Sequence, residues 1–229
     1  MKKTLIVCAM DEEISILLEK WNLEIINNKY FKIYKHKNKP LYTLVSGVGK
    51  VNASSSLTYA IKLVDPDQIF GIGVAGGVKP EIEIGDVVIC DKFIQYDADV
   101  TAFGYDLGQI PGFSDKYFYS DQNLINSIKE SAQSITSHEV FTGTIMSGDS
   151  FIKDDKGKQL YQKFGGFCVD MESAAWAQVA TIFGIPIVVI RSISDQADGS
   201  AVENFTEFLK KAVYNLSLMI EKLINMKVS

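Results

Sequence analysis

Short apolar runs alternate along this chain with stretches whose apolar positions recur every three to four residues. Seven runs are rich in β-branched and aromatic residues: Thr4–Ala9, Phe31–Tyr34, Leu41–Ser46, Gln68–Gly73, Asp86–Ile89, Val140–Ile145 and Ile185–Ile190. Several are apolar on both faces, which predicts strands covered by helices on either side. Between them, Glu12–Lys20 sets Ile16, Leu17 and Trp21 near one helical face, and Val51–Val64 carries an Ala/Leu/Ile stripe that Asp65-Pro66 stops. Glu172–Phe183 is Ala-rich and ends at Gly184, a good helix C-terminal signal. Near the end, Phe205, Phe208, Leu209, Ala212, Val213, Leu216, Ile220, Leu223 and Ile224 fall at helical spacing, which predicts a docked helix rather than a membrane anchor. Strands alternating with helices predict an α/β fold, a three-layer sandwich with a central mixed β-sheet flanked by helices. In such sheets, ligands gather where strands end. No linker-like tract, charge block or repeat interrupts the pattern, so residues 1–229 are expected to form one domain.

Composition narrows the chemistry. The net charge of -5 argues against a nucleic-acid surface, which carries a basic excess, and leaves small polar ligands open. Cys8, Cys90 and Cys168 are odd in number and each lies in an apolar run, so they read as reduced, buried thiols. Their spacing and the two histidines, His36 and His138, offer no zinc pattern, and no metal is expected. The start, MKKTLIVCAMDEE, is too short in its apolar part for a signal peptide and reads as a first strand. With no other stretch long enough to span a bilayer, a cytoplasmic protein without membrane partners is expected.

Three tempting motifs fail on context. Gly71-Ile-Gly73-Val-Ala-Gly76 fits the dinucleotide pattern, yet Gly77-Val78-Lys79-Pro80 follows where a helix should start to hold pyrophosphate. No nicotinamide cofactor is expected, although the glycines still allow bare backbone to approach a ligand. Gly47-Val-Gly49-Lys50 lacks the first glycine of a phosphate loop and has Val51 where a magnesium-binding hydroxyl belongs. A Ser-His-Asp triad lacks a Gly-x-Ser-x-Gly turn near either histidine.

Three acidic clusters remain. Asp11-Glu12-Glu13 follows the first strand, where acids ordinarily cap a helix, but a third acid can face inward over the strand end. Asp170-Met171-Glu172 precedes the Ala-rich helix; its alternatives are capping, or a carboxylate kept ionised by the helix dipole that grips a vicinal diol. The strand Ile185–Ile190 runs into Arg191-Ser192-Ile193-Ser194-Asp195. Arg191 is the single arginine among 23 basic residues, so its fixed donor fork is needed there, or it forms a buried ion pair with a nearby acid. Residues 96–113 (YDADVTAFGYDLGQIPGF) form a connection too apolar for a solvated loop; it covers a pocket, packs on another subunit, or both. Paired carboxylates without a His or Cys nucleophile suit hydrolysis of a glycosidic bond, one acid activating water and another protonating the leaving group. Spacing alone does not say which acid is which.

MDEE, SGVGKVNA, AGG, YDADVTAFGYDLGQIPG, SGDSFI, VDMES and RSISDQAD occur in an order that resembles the 5'-methylthioadenosine/S-adenosylhomocysteine nucleosidases of the purine-nucleoside/uridine phosphorylase superfamily. The resemblance spans the chain. It implies a nucleoside phosphorylase-like fold, cleavage of adenine nucleosides without a cofactor, and a homodimer. In it, Glu13 is the water-activating base, Asp195 the acid that protonates adenine N7, and Ser194 its support. Glu172 binds the ribose hydroxyls beside Met171, Phe151 stacks on adenine, and backbone at Ile152 and Gly76 meets the ligand. Arg191 helps position water and stabilises Glu13. Met10, Val48 and Phe205 line the sugar and 5'-thio region, with Val100, Phe103 and Pro111 coming from a neighbouring subunit. Two positions depart from some relatives: Val74 replaces a small polar residue and Tyr96 a histidine. Related phosphorylases need a cationic corner for phosphate, whereas acids at 11–13 repel it, which favours hydrolysis. A binding-only sensor is the alternative of another class, disfavoured because base, acid and diol-binding candidates are all present.

Overall fold

The computed structural model describes residues 2–132 and 138–226. Among the described residues, ten strands run in chain order: β1 (Thr4–Cys8), β2 (Leu23–Asn28), β3 (Lys32–His36), β4 (Leu41–Val45), β5 (Gln68–Gly77), β6 (Val87–Gln95), β7 (Phe118–Tyr119), β8 (Val140–Ser147), β9 (Cys168–Asp170) and β10 (Ile187–Asp195). Six helices accompany them: α1 (Asp11–Lys20), α2 (Lys50–Val64), α3 (Gln122–Ala132), α4 (Lys156–Phe164), α5 (Ser173–Phe183) and α6 (Ala201–Met226). Among the described residues, no helix is long and apolar enough to cross a membrane.

The sheet is mixed, in the order β10-β6-β8-β9-β5-β1-β4-β3-β2, with β7 on the edge of β6. β1 lies parallel to β4 and β5, and β5 parallel to β10. Because β10 pairs with both β5 and β6, the strands β5, β10, β6, β8 and β9 close into a ring, and β1 to β4 extend from it as an open wing. Closure removes edges from the strands that carry the polar site.

Alternation along β1 explains the layers. Leu5 and Val7 pack on one face with Leu57 and Ala60 of α2 and with Trp176 and Ala180 of α5. Ile6 and Cys8 pack on the other with Ile14 and Leu17 of α1, Ile125 and Ile128 of α3, and Leu216 and Ile220 of α6. Both faces are dry, hence the near-continuous apolar runs. The C-terminal apolar stripe docks as expected through Ala212, Val213, Leu216, Ile220 and Ile224; the Leu223 side chain lies outside the described ones.

The boundaries differ from the sequence pattern in an informative way. β5, β6 and β10 each run four to six residues past the last strongly apolar position that marked them. In β10 the extension is Arg191–Asp195, mostly polar in sequence yet buried throughout; Arg191, Ser194 and Asp195 find hydrogen-bond partners inside the protein. That strand begins at Ile187 rather than Ile185, after Pro186, which has no N–H to give. β2 is mostly exposed, β7 has two residues and β9 three, so none shows a clear alternation. α4 buries only Gly157 and Leu160, and its Lys-rich sequence hides the helix.

Candidate active site

The C-terminal ends of β1, β5, β9 and β10 surround one cavity of about 170 Å³. Glu13, Asp170, Glu172 and Asp195 reach it together with Gly76 and Ser194. Met10, Val48, Phe151, Met171 and Phe205 supply its apolar walls. Larger clefts elsewhere, such as the roughly 500 Å³ groove beside Ile16, Leu209 and Val213, have no such convergence of buried acids.

Glu13 is the inward acid of its cluster. Asp11 is exposed and pairs with Lys32, and Glu12 is exposed, whereas Glu13 is 2% exposed. One carboxylate oxygen accepts N–H bonds from Ala9 at 2.8 Å and Met10 at 3.0 Å; the other accepts from Val74 at 3.0 Å. Glu13 therefore does cap α1, closing on the N–H of the N-cap Met10, and faces the cavity as well. Burial pushes its carboxyl above the usual range, while Arg191 and the three N–H groups pull it back. A desolvated carboxylate fixed by donors is a suitable general base. Val74 contributes through its backbone, so its apolar side chain leaves this bond intact.

Asp195 ends β10 just after an irregularity in its pairing with β5. One oxygen lies 2.9 Å from the Ser194 hydroxyl and the other accepts from the N–H of Ala197 at 2.9 Å. Ala197 adopts a left-handed conformation (φ 48°), an uncommon one for alanine that turns its N–H back onto the acid. Burial raises the Asp195 carboxyl, so its protonated form is easier to reach, as a general acid requires.

Arg191 is fully buried under Trp176, its guanidinium carbon 5.0 Å from the ring centroid. Its closest partner is Asp170, Nη2 to Oδ2 at 2.5 Å, with Nε and Nη2 also donating to the Ser173 hydroxyl at 3.2 and 2.9 Å. Glu13 and Glu172 each stand at 3.7 Å. Both sequence alternatives for this residue thus hold in part: it is a buried ion-pair partner, and it faces the Glu13 carboxylate. It does not itself line the cavity.

Glu172 is the N-cap residue of α5, but its side chain makes no cap bond and instead accepts from the N–H of Gly49 at 2.8 Å. The dipole does not keep it ionised, as the sequence had suggested: burial first, and Asp170 second, push its carboxyl up to about 8. Desolvation outweighs a helix dipole in a site this closed.

Some candidates lie apart. Ile152 is buried but not on the cavity wall. Val100, Phe103 and Pro111 do not line it either, and Phe103 is 82% exposed. Ser173, Ser147 and the Gly49 N–H join the site without any signal in the sequence, and Asp170 takes a place that its acidic cluster did not specify. Asp170 sat in a quoted motif, but the roles of adjacent acids are separated only by the turn between β9 and α5. All three cysteines are free and buried, as expected. Among the described residues, no group of His, Cys, Asp or Glu side chains is placed to hold a metal ion.

One carboxylate held by backbone N–H groups and further buried acids on a largely apolar cavity suit acid–base chemistry on a small ligand. A family model described as "Phosphorylase superfamily" matches residues 3–225. A 5'-methylthioadenosine/S-adenosylhomocysteine nucleosidase of Marinomonas sp. (strain MWYL1) is 37% identical over 227 residues, 96% of each chain. The crystal structure of the Neisseria meningitidis nucleosidase of that name, in complex with methylthio-immucillin-A, superposes with a TM-score of 0.93 at 35% identity, covering 98% of this chain and 99% of that one. A structure described as futalosine hydrolase of Helicobacter pylori strain 26695 is 30% identical with a TM-score of 0.92, covering 98% of both. The chain belongs to the phosphorylase superfamily and, within it, to the 5'-methylthioadenosine/S-adenosylhomocysteine nucleosidases.

Gly73 is where the base and Arg191 meet the sheet. A Cβ there would stand 2.0 Å from Arg191 Nη1 and 2.3 Å from Glu13 Oε1. Gly73→Ala is expected to displace both and cost about 1–3 kcal/mol, read as a fall of roughly 2–10 °C in calorimetric Tm. An unchanged Tm would show that this contact is not tight.

Proposed function

We propose that the protein hydrolyses the N-glycosidic bond of 5'-methylthioadenosine and S-adenosylhomocysteine, and of 5'-deoxyadenosine, releasing adenine and the corresponding (thio)ribose. The observation that carries this reading is the convergence of Glu13, Glu172 and Asp195 on one cavity with apolar walls. Membership of the nucleosidase family supports the choice of nucleoside.

In this reading Glu13 accepts a proton from the attacking water, and its three N–H donors hold the carboxylate in place. Asp195 delivers a proton to adenine N7, so the base leaves neutral while positive charge develops on the sugar. Ser194 and the Ala197 N–H orient Asp195, and Glu172 accepts hydroxyl hydrogen bonds from the ribose. Met10, Val48, Met171 and Phe205 suit an apolar 5'-methylthio group, and Phe151 an aromatic base. Residues 1–229 would act as a single domain, in the cytoplasm, in methionine salvage and removal of a methyl-cycle by-product. Adenine release from methylthioadenosine in phosphate-free buffer tests the reaction, with Asp195→Asn expected to bind substrate and lose about 10²–10⁴-fold in kcat. Strict phosphate dependence, intact substrate after prolonged binding, or preferential cleavage of futalosine in a substrate panel would each overturn it.

Ionised Glu172 accepts from two hydroxyls, and its protonated form accepts less well. Because burial and Asp170 push its carboxyl up to about 8, kcat/KM is expected to fall as pH drops below about 8. A flat profile between pH 6 and 9 would remove Glu172 from the ribose site.

The protein would work as a homodimer in which residues 97–113 complete the partner's cavity. The exposed Phe103 and Tyr105 support this, since the loop leaves them uncovered in one chain and lines no wall of its own cavity. Phe103→Ala should raise KM for methylthioadenosine at least several-fold with little change in the kcat for 5'-deoxyadenosine. A monomer of full activity in sedimentation and dilution assays would refute the shared pocket.

A further inference from the structure

The buried charges around Arg191 do not balance. Glu13, Asp170 and Glu172 surround one guanidinium, and Arg191 is the sole cation in ion-pair contact with them among the described residues. Fully ionised, the group would carry two uncompensated negative charges out of water, which is unfavourable enough that a carboxyl keeps a proton instead. The remaining titratable neighbours do not relieve this. Cys8 on β1 and Cys90 on β6 face the group, but burial holds both thiols well above their usual range and so neutral. Tyr96, pushed up to about 12, is neutral too.

Arg191 does not divide its charge evenly. Asp170 holds Nη2 at 2.5 Å, and Ser173 takes Nε and Nη2, which fixes the guanidinium plane. Asp170 is itself anchored: Oδ2 accepts from the N–H and hydroxyl of Ser173, and Oδ1 from the Ser147 hydroxyl, which in turn accepts from the N–H of Ala174. Glu13 and Glu172 receive only the 3.7 Å remainder.

We propose that Asp170 is a positioning residue acting through Arg191: it holds the guanidinium at a fixed setback from Glu13 and Glu172, so that those two carboxylates share one partly spent positive charge. The role deepens the functional reading above and rests on it for the identity of the base and the diol-binding acid. Glu13 and Glu172 are then electrostatically linked. Protonation of one strengthens the hold of Arg191 on the other, so the base is favoured as an anion while Glu172 carries the proton. A sugar diol that donates to Glu172 draws on the same charge. Asp170 need not touch substrate for this.

The test separates charge from geometry. Asp170→Asn keeps one acceptor oxygen, enough for Ser173 or for Ser147 but not both, removes the like charge and releases Arg191 toward Glu13 and Glu172. The acidic limb of kcat/KM for methylthioadenosine should move down by about one pH unit, so that activity well below the limb gains about tenfold relative to its own maximum. Ser173→Ala removes the bonds that seat Arg191 and Asp170 but no charge, and should leave the limb in place even if the protein is less stable. An unmoved limb in Asp170→Asn, or equal movement in both variants, overturns the proposal. Should Asp170→Asn fail to fold, Glu13→Gln provides the second reading: the ¹³C carboxyl titration of Glu172 should shift to lower pH when its competitor for Arg191 is gone, and an unchanged titration overturns the sharing. Wild-type protein that releases no adenine would sink the functional reading alone, because the carboxyl titration is read without turnover.

Discussion

Everything in the site is arranged around one guanidinium taken out of water. Arg191 is fully buried, and such a charge is tolerated only where opposite charge and hydrogen-bond acceptors meet it. β10 brings it in, β9 brings Asp170, α5 brings Ser173 and Glu172, and α1 brings Glu13. Trp176 of α5 seals the side away from the cavity. The pairing that satisfies Arg191 thus ties together side chains from four elements. A buried ion pair of this kind adds little to stability by itself, but removing one member leaves the rest uncompensated.

Backbone conformation does the finer work. Glu13 and Asp195, at opposite elements, are both held by main-chain N–H groups rather than by side-chain cations at close range. Main-chain donors move only if the fold moves, so both acids keep their geometry while their charge state changes. The uncommon left-handed Ala197 and the crowding at Gly73 are the local costs of that placement.

The sandwich was legible because both faces of the sheet are apolar, and the helices that cover it repeat at helical spacing. The inward acid at the MDEE turn was legible as a candidate, and the lone arginine as a residue with a special duty. Their partners were harder to see. The strand pattern stops at Ile190 because sequence cannot show that Arg191, Ser194 and Asp195 have buried partners. Nor does spacing tell Asp170 from Glu172: one residue separates them, both line the cavity, and only the turn into α5 gives the first to Arg191 and the second to the N–H of Gly49. The expected ionised Glu172 failed for the same reason, because desolvation depends on what surrounds a group in three dimensions. Ring closure through β5 and β10 was invisible as well, being a property of pairing and not of any one strand.

Glu13 serves two masters, and this has a mechanical side. Its carboxylate ties down the first turn of α1, and α1 packs through Ile14 and Leu17 in the same cluster as Leu216 and Ile220 of α6, with Lys20 paired to Glu221. Phe205, near the start of α6, stands in the cavity wall edge-to-face with Phe151. The acid in the cavity and the aromatic pair in its wall thus belong to one packed pair of helices, so whatever unseats the first turn of α1 disturbs the packing of the helix that carries Phe205.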